Sequence, residues 1–173
     1  MIELLIVIVI VGIVVTIAAP SFRDMLNTMR QNSALGLLVS DLNQARGEAI
    51  KRNTSVLMCA RNSAGDDCGT NWQAGWVVCL EGNVTNHCAA VNPASPNHLA
   101  IRPALDAALT LHMVDPLDAT VVFPVRFSPN SSQTSQSDLL VRAGEVRLLM
   151  LGTWSGAATR TVRVAVTGNI SRQ

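Results

Sequence analysis

The residues of this chain whose types and spacing invite chemistry are four cysteines, three histidines, a lone acid ahead of an apolar run, and a set of arginines near the C-terminus. Cys59, Cys68, Cys79 and Cys88 are spaced C-x8-C, ten residues, C-x8-C. Zinc sites use tighter pairs such as C-x2-C. An even number of cysteines behind an export-type N-terminus points instead to disulfides and an oxidising compartment. Four cysteines allow three pairings, and spacing does not choose among them. The sequential pairing, Cys59–Cys68 with Cys79–Cys88, is the simplest because each bond closes a short polar loop. His87, His98 and His112 show neither H-x-x-x-H nor H-E-x-x-H spacing, and there is no G-x-S-x-G elbow or phosphate-cradling glycine loop. His87 beside Cys88 is the nearest approach to a metal pair, and it stands in a polar loop without a third ligand. Glu48 has no partner acid or base close by in sequence. The expectation is a chain that is not an enzyme, with no catalytic residues, no metal and no cofactor.

The elements that must position these residues begin with a block of apolar side chains. Residues 4–19 are apolar apart from the soft spots Gly12 and Thr16. As a helix they span roughly 24 Å, close to a bilayer core of about 30 Å. A cleaved signal peptide fits poorly, since no basic segment precedes the run. Glu3 is the odd residue: an acid at the edge of a membrane segment costs about 2–3 kcal/mol. A helix that packs beside copies of itself can offset that cost by pairing the carboxylate with a neighbour's terminal ammonium, which also sets the axial register. The competing reading places Glu3 among lipid headgroups with no specific partner.

Pro20 should bend or loosen the helix. Beyond it the pattern becomes two-faced. Phe22, Met25 or Leu26, Met29, and then Leu35, Leu38, Leu42, Ala45 and Ala49 recur at helical spacing, and Arg23, Asp24, Arg30, Gln31, Asn32, Asp41, Asn43 and Lys51 are assigned to the opposite, solvent-facing side. Glu48 and Arg52 form a favourable i,i+4 pair, and Asn53-Thr54 ends the helix. The layout is a wholly apolar first half, residues 1–20, an amphipathic second half, residues 21–53, and a β-rich head, residues 54–173.

The start Met1-Ile2-Glu3-Leu4-Leu5-Ile6-Val7 resembles the mature front of type IV pilins and pseudopilins, which runs Phe-Thr-Leu-Ile-Glu-Leu-Leu. Residues 42–53, Leu-Asn-Gln-Ala-Arg-Gly-Glu-Ala-Ile-Lys-Arg-Asn, resemble the GspH/FimT signature L-x-x-A-R-S-E-A-I-x-R-N, with Gly47 in place of its serine. Trp72-Gln73-Ala74-Gly75-Trp76 is similar to the W-x-x-G-W of the same family, whose loop cysteine pair falls about where Cys59 and Cys68 sit. The likeness covers residues 1 to about 80. It implies a type IV pilin-like α+β fold: a long N-terminal helix, transmembrane in its first half, packed on an antiparallel β-rich head. It implies that Glu3 is the assembly acid and Pro20 the helix proline. It also implies a prepilin peptidase that cuts a leader and methylates the new N-terminus. The leader, its glycine and the Phe-Thr pair are not in this sequence, and the expectation is a missing front end.

After the helix, strands are predicted over 55–59, 76–80, 99–102, 109–113, 120–123, 125–127, 145–150 and 161–166, with a polar loop over 128–137. The tryptophans read as core or loop anchors. No internal repeat is visible.

The function that follows from the resemblance is that of a minor pilin. Its helix sits in the bacterial inner membrane with the head in the periplasm, and the subunit then enters a pilus among other pilins, in low abundance and at or near the tip. A type II secretion pseudopilin is the alternative, and the C-x8-C loop with W-x-x-G-W favours the pilus. DNA is a further candidate partner. Some FimT-like subunits carry a C-terminal Gly-Arg-x-Arg, and the matching Gly168-Asn169-Ile170-Ser171-Arg172 lacks the first arginine and shifts the second. Arg160, Arg163 and Arg172 remain as a candidate phosphate-contacting patch. They belong to a run from residue 139 onward with five arginines and one acid, Glu145. The competing reading is a solvated strand edge, where positive charge discourages aggregation.

Overall fold

The stripe Leu35, Leu38, Leu42, Ala45 and Ala49 advances by three and four residues at a time, which keeps it on one face of an α-helix; each of the five is buried. The computed structural model describes residues 2–90, 97–114, 124–129, 145–165 and 167–173. Helix α1 runs over Ile2–Arg52, about 75 Å at 1.5 Å per residue. It is continuous through position 20; the side chain of Pro20 lies outside the described residues. The helix ends as expected at Asn53, whose φ of 51° is left-handed. The amides of Asn53 and Thr54 reach back to the carbonyls of Ile50 and Ala49 at 3.4 and 3.3 Å, satisfying acceptors that the last turn would otherwise leave open. Lys51 and Arg52 lie in that last turn, where cations complement the helix dipole.

Eight strands follow: β1 Val56–Ala60, β2 Trp76–Leu80, β3 His98–Ile101, β4 Leu109–Val114, β5 Val125–Phe127, β6 Glu145–Gly152, β7 Arg160–Ala165 and β8 Ile170–Arg172. They form two antiparallel sheets, ordered β3-β2-β1-β5 and β4-β6-β7-β8. The strand expected over 120–123 and most of the loop expected over 128–137 lie outside the described residues. Strand β8 was not anticipated; three residues at a sheet edge carry too little pattern to be read.

The two sheets bury different amounts of themselves. In the second, burial alternates along β4, β6 and β7, as period-2 side chains require when one face meets the core. In the first, all five residues of β1 are buried. Val56, Met58 and Ala60 face the helix with Trp76 and Val78 of β2, in the main core. Leu57, Cys59, Val77 and Cys79 form a second small core on the other face, covered by Cys68 and Cys88.

Trp72 and Trp76 are both buried anchors. Between them, Gly75 has φ +95°, and a Cβ there would fall on the carbonyl oxygens of Arg102 and Pro103. The glycine of the W-x-x-G-W segment is therefore required twice, by backbone conformation and by space.

Candidate functional site: an uncovered stem clamped to the head

Among the described residues, nothing covers the first part of α1. Its apolar window has a mean hydropathy of 3.0 and none of it is buried. Leu4, Ile8 and Ile13 are 63%, 60% and 57% exposed, and exposure continues beyond residue 20 through Phe22, Met25 and Met29. The expected apolar face of the second half therefore splits: Phe22, Met25 and Met29 stay open, and the buried stripe starts later. Glu3 lies in the first turn, exposed. Among the described residues it has no partner within the chain.

Two polar residues then lock the helix to the head. Gln31 and Asp41, expected on the solvent-facing side, are buried at 1% and 0% exposure. Gln31 Nε2 donates to the carbonyls of Met150 and Ala158 at 3.1 and 2.8 Å. Asp41 accepts from Trp76 Nε1 at 2.8 Å and from Arg102 through two bonds of 2.8 Å, one to each carboxylate oxygen. These bonds hold the Arg102 pKa above its ordinary value against a smaller opposing effect of burial. A two-pronged contact of this kind fixes both rotation and height of the helix on the sheet. Gln31 had a readable signal, because it stands four residues before Leu35 and extends the buried stripe by one position. Asp41 had none: its partners lie 35 and 61 residues away.

Beside the clamp an apolar groove of about 430 Å³ opens between Leu26, Met29 and Leu37 of the helix and Pro103, Ala104 and Leu105. The Arg30–Asp106 ion pair, 3.1 Å, closes part of its rim. At the far end of the helix, Glu48 receives Arg52 Nε at 2.5 Å and Lys51 Nζ at 3.4 Å, and the Arg52 hydrogen bond is the chief cause of its lowered pKa.

The cysteines pair sequentially, Cys59–Cys68 and Cys79–Cys88, with Cα separations of 5.4 and 5.5 Å. Each bond sits at the foot of a loop closed by an isolated bridge, Arg61↔Cys68 in one and Glu81↔Cys88 in the other. The loops are thus two versions of one local unit, a repeat that no similarity of side chains betrayed. Asp67 joins them. Its Oδ1 accepts from the amides of Cys68 and Cys88 at 2.7 and 2.8 Å, and its Oδ2 lies 2.7 Å from His87 Nδ1. Burial works against the Asp67 charge, but the His87 hydrogen bond and the two amides outweigh it and hold the pKa below the ordinary carboxylate value. His98 Nε2 approaches the Asp66 carbonyl at 2.6 Å; His112 is exposed on β4.

The arginines at the C-terminus are not brought to one face. Arg160 pairs with Met150 and Arg172 with Val162 across the strands, so both stand on the core-side face of the second sheet. Arg163 pairs with Arg147 and Ser171 and stands on the outer face. There its guanidinium is bound to Glu145, which also holds Arg147 at 2.7 Å. The Arg163 hydrogen bond is the main cause of the lowered Glu145 pKa.

An uncovered apolar helix clamped by its second half onto two antiparallel sheets defines a pilin-like subunit, and comparison with known proteins agrees. The family model described as Type II transport protein GspH matches residues 34–169, most of the chain. The chain belongs to the GspH family. Its fold is also that of the type IV minor pilin FimU of Pseudomonas aeruginosa. In one crystal form the TM-score is 0.55 at 18% identity, covering 82% of this chain and 87% of that one. In a second form the TM-score is 0.54 at 18% identity, covering 82% and 91%. No curated protein sequence matches the chain. Family and fold are those of structural, pilin-like proteins.

Proposed function

We propose that the chain is a minor pilin of the FimT-like kind, held in the bacterial inner membrane by residues 2–20 with its head in the periplasm, and drawn from there into a type IV pilus. The observation that carries this reading is the unburied apolar window of α1. A helix so apolar that none of the described residues covers needs lipid or other apolar helices around it. Glu3 supplies the register: in an apolar bundle its carboxylate has to be neutralised, and the terminal ammonium of a neighbouring subunit does this at a defined height. The groove beside Leu26, Met29 and Leu37 continues the same apolar surface up to the head. A low-abundance place at or near the tip completes the proposal.

A type II secretion pseudopilin is the second reading, favoured by the description of the matched family. One experiment addresses both: single cysteines placed in the first half of α1, with Glu3 intact or changed to Ala, are crosslinked in cells that build either filament. The expected outcome is crosslinks to pilus subunits that fall about tenfold or more in the Glu3→Ala form, in line with an interaction of a few kcal/mol. Crosslinks only to secretion components would favour the second reading, and none to either filament would remove both.

A further inference from the structure

The two disulfides lie side by side over one small core. Cys59 and Cys79 stand on the same outer face of adjacent strands β1 and β2, in the register Leu57↔Cys79 and Cys59↔Val77. Their partners, Cys68 and Cys88, close over that face. As a result the Sγ atoms of Cys59, Cys68 and Cys88 all lie within 4.8 Å of one another, although Cys88 is bonded to Cys79 and not to either of the others. The amides of Cys68 and Cys88 donate to the same oxygen, Asp67 Oδ1. An acceptor shared by both amides keeps the two backbones close to each other. Exposure differs within each bond: Cys59 and Cys79 are 1% and 0% exposed, whereas Cys68 and Cys88 are half-buried.

We infer that the two bonds form a single thiol–disulfide exchange unit, in which a freed Cys88 thiolate attacks Cys68 and moves the crosslink to Cys68–Cys88. The starting thiolate arises when an external dithiol reductant opens Cys79–Cys88; the reductant is oxidised to its own disulfide and the two cysteines are reduced. Cys88 Sγ then gives an electron pair to Cys68 Sγ. The Cys68–Cys88 bond forms as Cys59–Cys68 breaks, and the departing pair stays on Cys59 Sγ, which takes a proton from water. One disulfide and two thiols are present before and after this second step, so it needs no further oxidant. Exchange proceeds by such direct attack, at rates set by access and by the thiolate fraction. A gap under 4.8 Å is small enough for a side-chain rotation to close. The consequence is that losing one bond does not free both loops: the remaining crosslink can shift between them. The reverse step lets a Cys68–Cys88 mispairing resolve inside the folded head.

Loss of Cys79 and loss of Cys88 are expected to differ, because Cys88 and not Cys79 shares the cluster with both Cys59 and Cys68. Full-length Cys79→Ser and Cys88→Ser proteins, purified in detergent without reductant, are alkylated and digested without reduction, and the linked peptides are identified by mass. In Cys79→Ser the label is expected to divide between Cys88 and Cys59, with a Cys68–Cys88 peptide pair beside Cys59–Cys68. In Cys88→Ser the label is expected on Cys79 alone, with Cys59–Cys68 as the sole bond. A label confined to Cys88 in the first variant would overturn the proposal. As a check independent of either variant, the unaltered protein is treated with less than one equivalent of dithiothreitol and quenched with acid. Cys68–Cys88 is expected as the leading non-native pair; native pairs only, or an even mixture of all pairings, would overturn it.

Discussion

The two halves of α1 are one continuous helix in which similar apolar residues meet opposite fates. In the first half, Leu4 and Ile8 are 63% and 60% exposed; in the second, Leu35, Leu38 and Leu42 are between 0 and 1%. The difference teaches that apolar character decides how much a helix wants cover, and the pattern decides who provides it. An all-round apolar surface cannot be satisfied by a head that can touch only one side. A narrow stripe can, and the head covers it with Val56, Met58, Val78, Leu148 and Val162. The first half is left uncovered by the described residues of the head.

The sharpest way to break this comparison is to remove one side of it. Deleting residues 2–20 is expected to move the protein completely from the membrane fraction to the soluble fraction, while the thermal midpoint of the head stays where it was, because none of the described head residues covers that apolar window. A fall in that midpoint would mean that the first half contributes to the head after all.

Paired substitutions sharpen it next. Leu42→Ala is expected to cost about 3 kcal/mol and Asp41→Ala about 2–3 kcal/mol, the latter because Trp76 Nε1 loses its acceptor and Arg102 its counter-charge. Ile8→Ala, an equally apolar loss from the first half, is expected to leave denaturant unfolding of the head unchanged. Equal costs in the two halves would contradict the division.

A smaller effect separates the helix side of the head from its disulfide side. The Asp67 pKa is depressed in the folded protein, so its contribution to stability is complete above the unfolded value of about 4 and is lost as pH falls through the folded value. Thermal midpoints measured from pH 6 down to pH 2 are expected to fall less in Asp67→Asn than in the unaltered protein, by about 2–4 °C for each kcal/mol involved. An identical decline would show that Asp67 does not latch the loops. The smallest effect is expected at the C-terminal arginines. With Arg163 engaged by Glu145 and on the face opposite to Arg160 and Arg172, the Arg160→Ala/Arg163→Ala/Arg172→Ala protein is expected to retain DNA within about twofold of the unaltered head, where a real phosphate site would lose affinity with each contact. A steep, salt-dependent loss would support the DNA reading.

Much of the architecture was readable from local pattern. The apolar run, the stripe from Leu35 to Ala49, the end at Asn53 and the alternating Val162 and Val164 each depend on periodicities that neighbouring residues set among themselves. The candidate site was less readable. Gln31 could have been read as one more position of the buried stripe, four residues before Leu35, but Asp41 looks like a surface residue because its partners, Trp76 and Arg102, lie 35 and 61 residues away.

The sequence by itself determined that this protein has an anchor-like helix with an acid at its tip, a two-faced second half and a β-rich head with disulfides, because each of these is a matter of composition and short-range spacing. Only the tertiary structure decided which cysteines pair, that sulfurs of the two bonds lie within 4.8 Å, that Asp41 clamps the helix and that the C-terminal arginines fall on two faces. These depend on strand register and on contacts between residues far apart in the chain, where a shift of one residue turns every side chain to the other face.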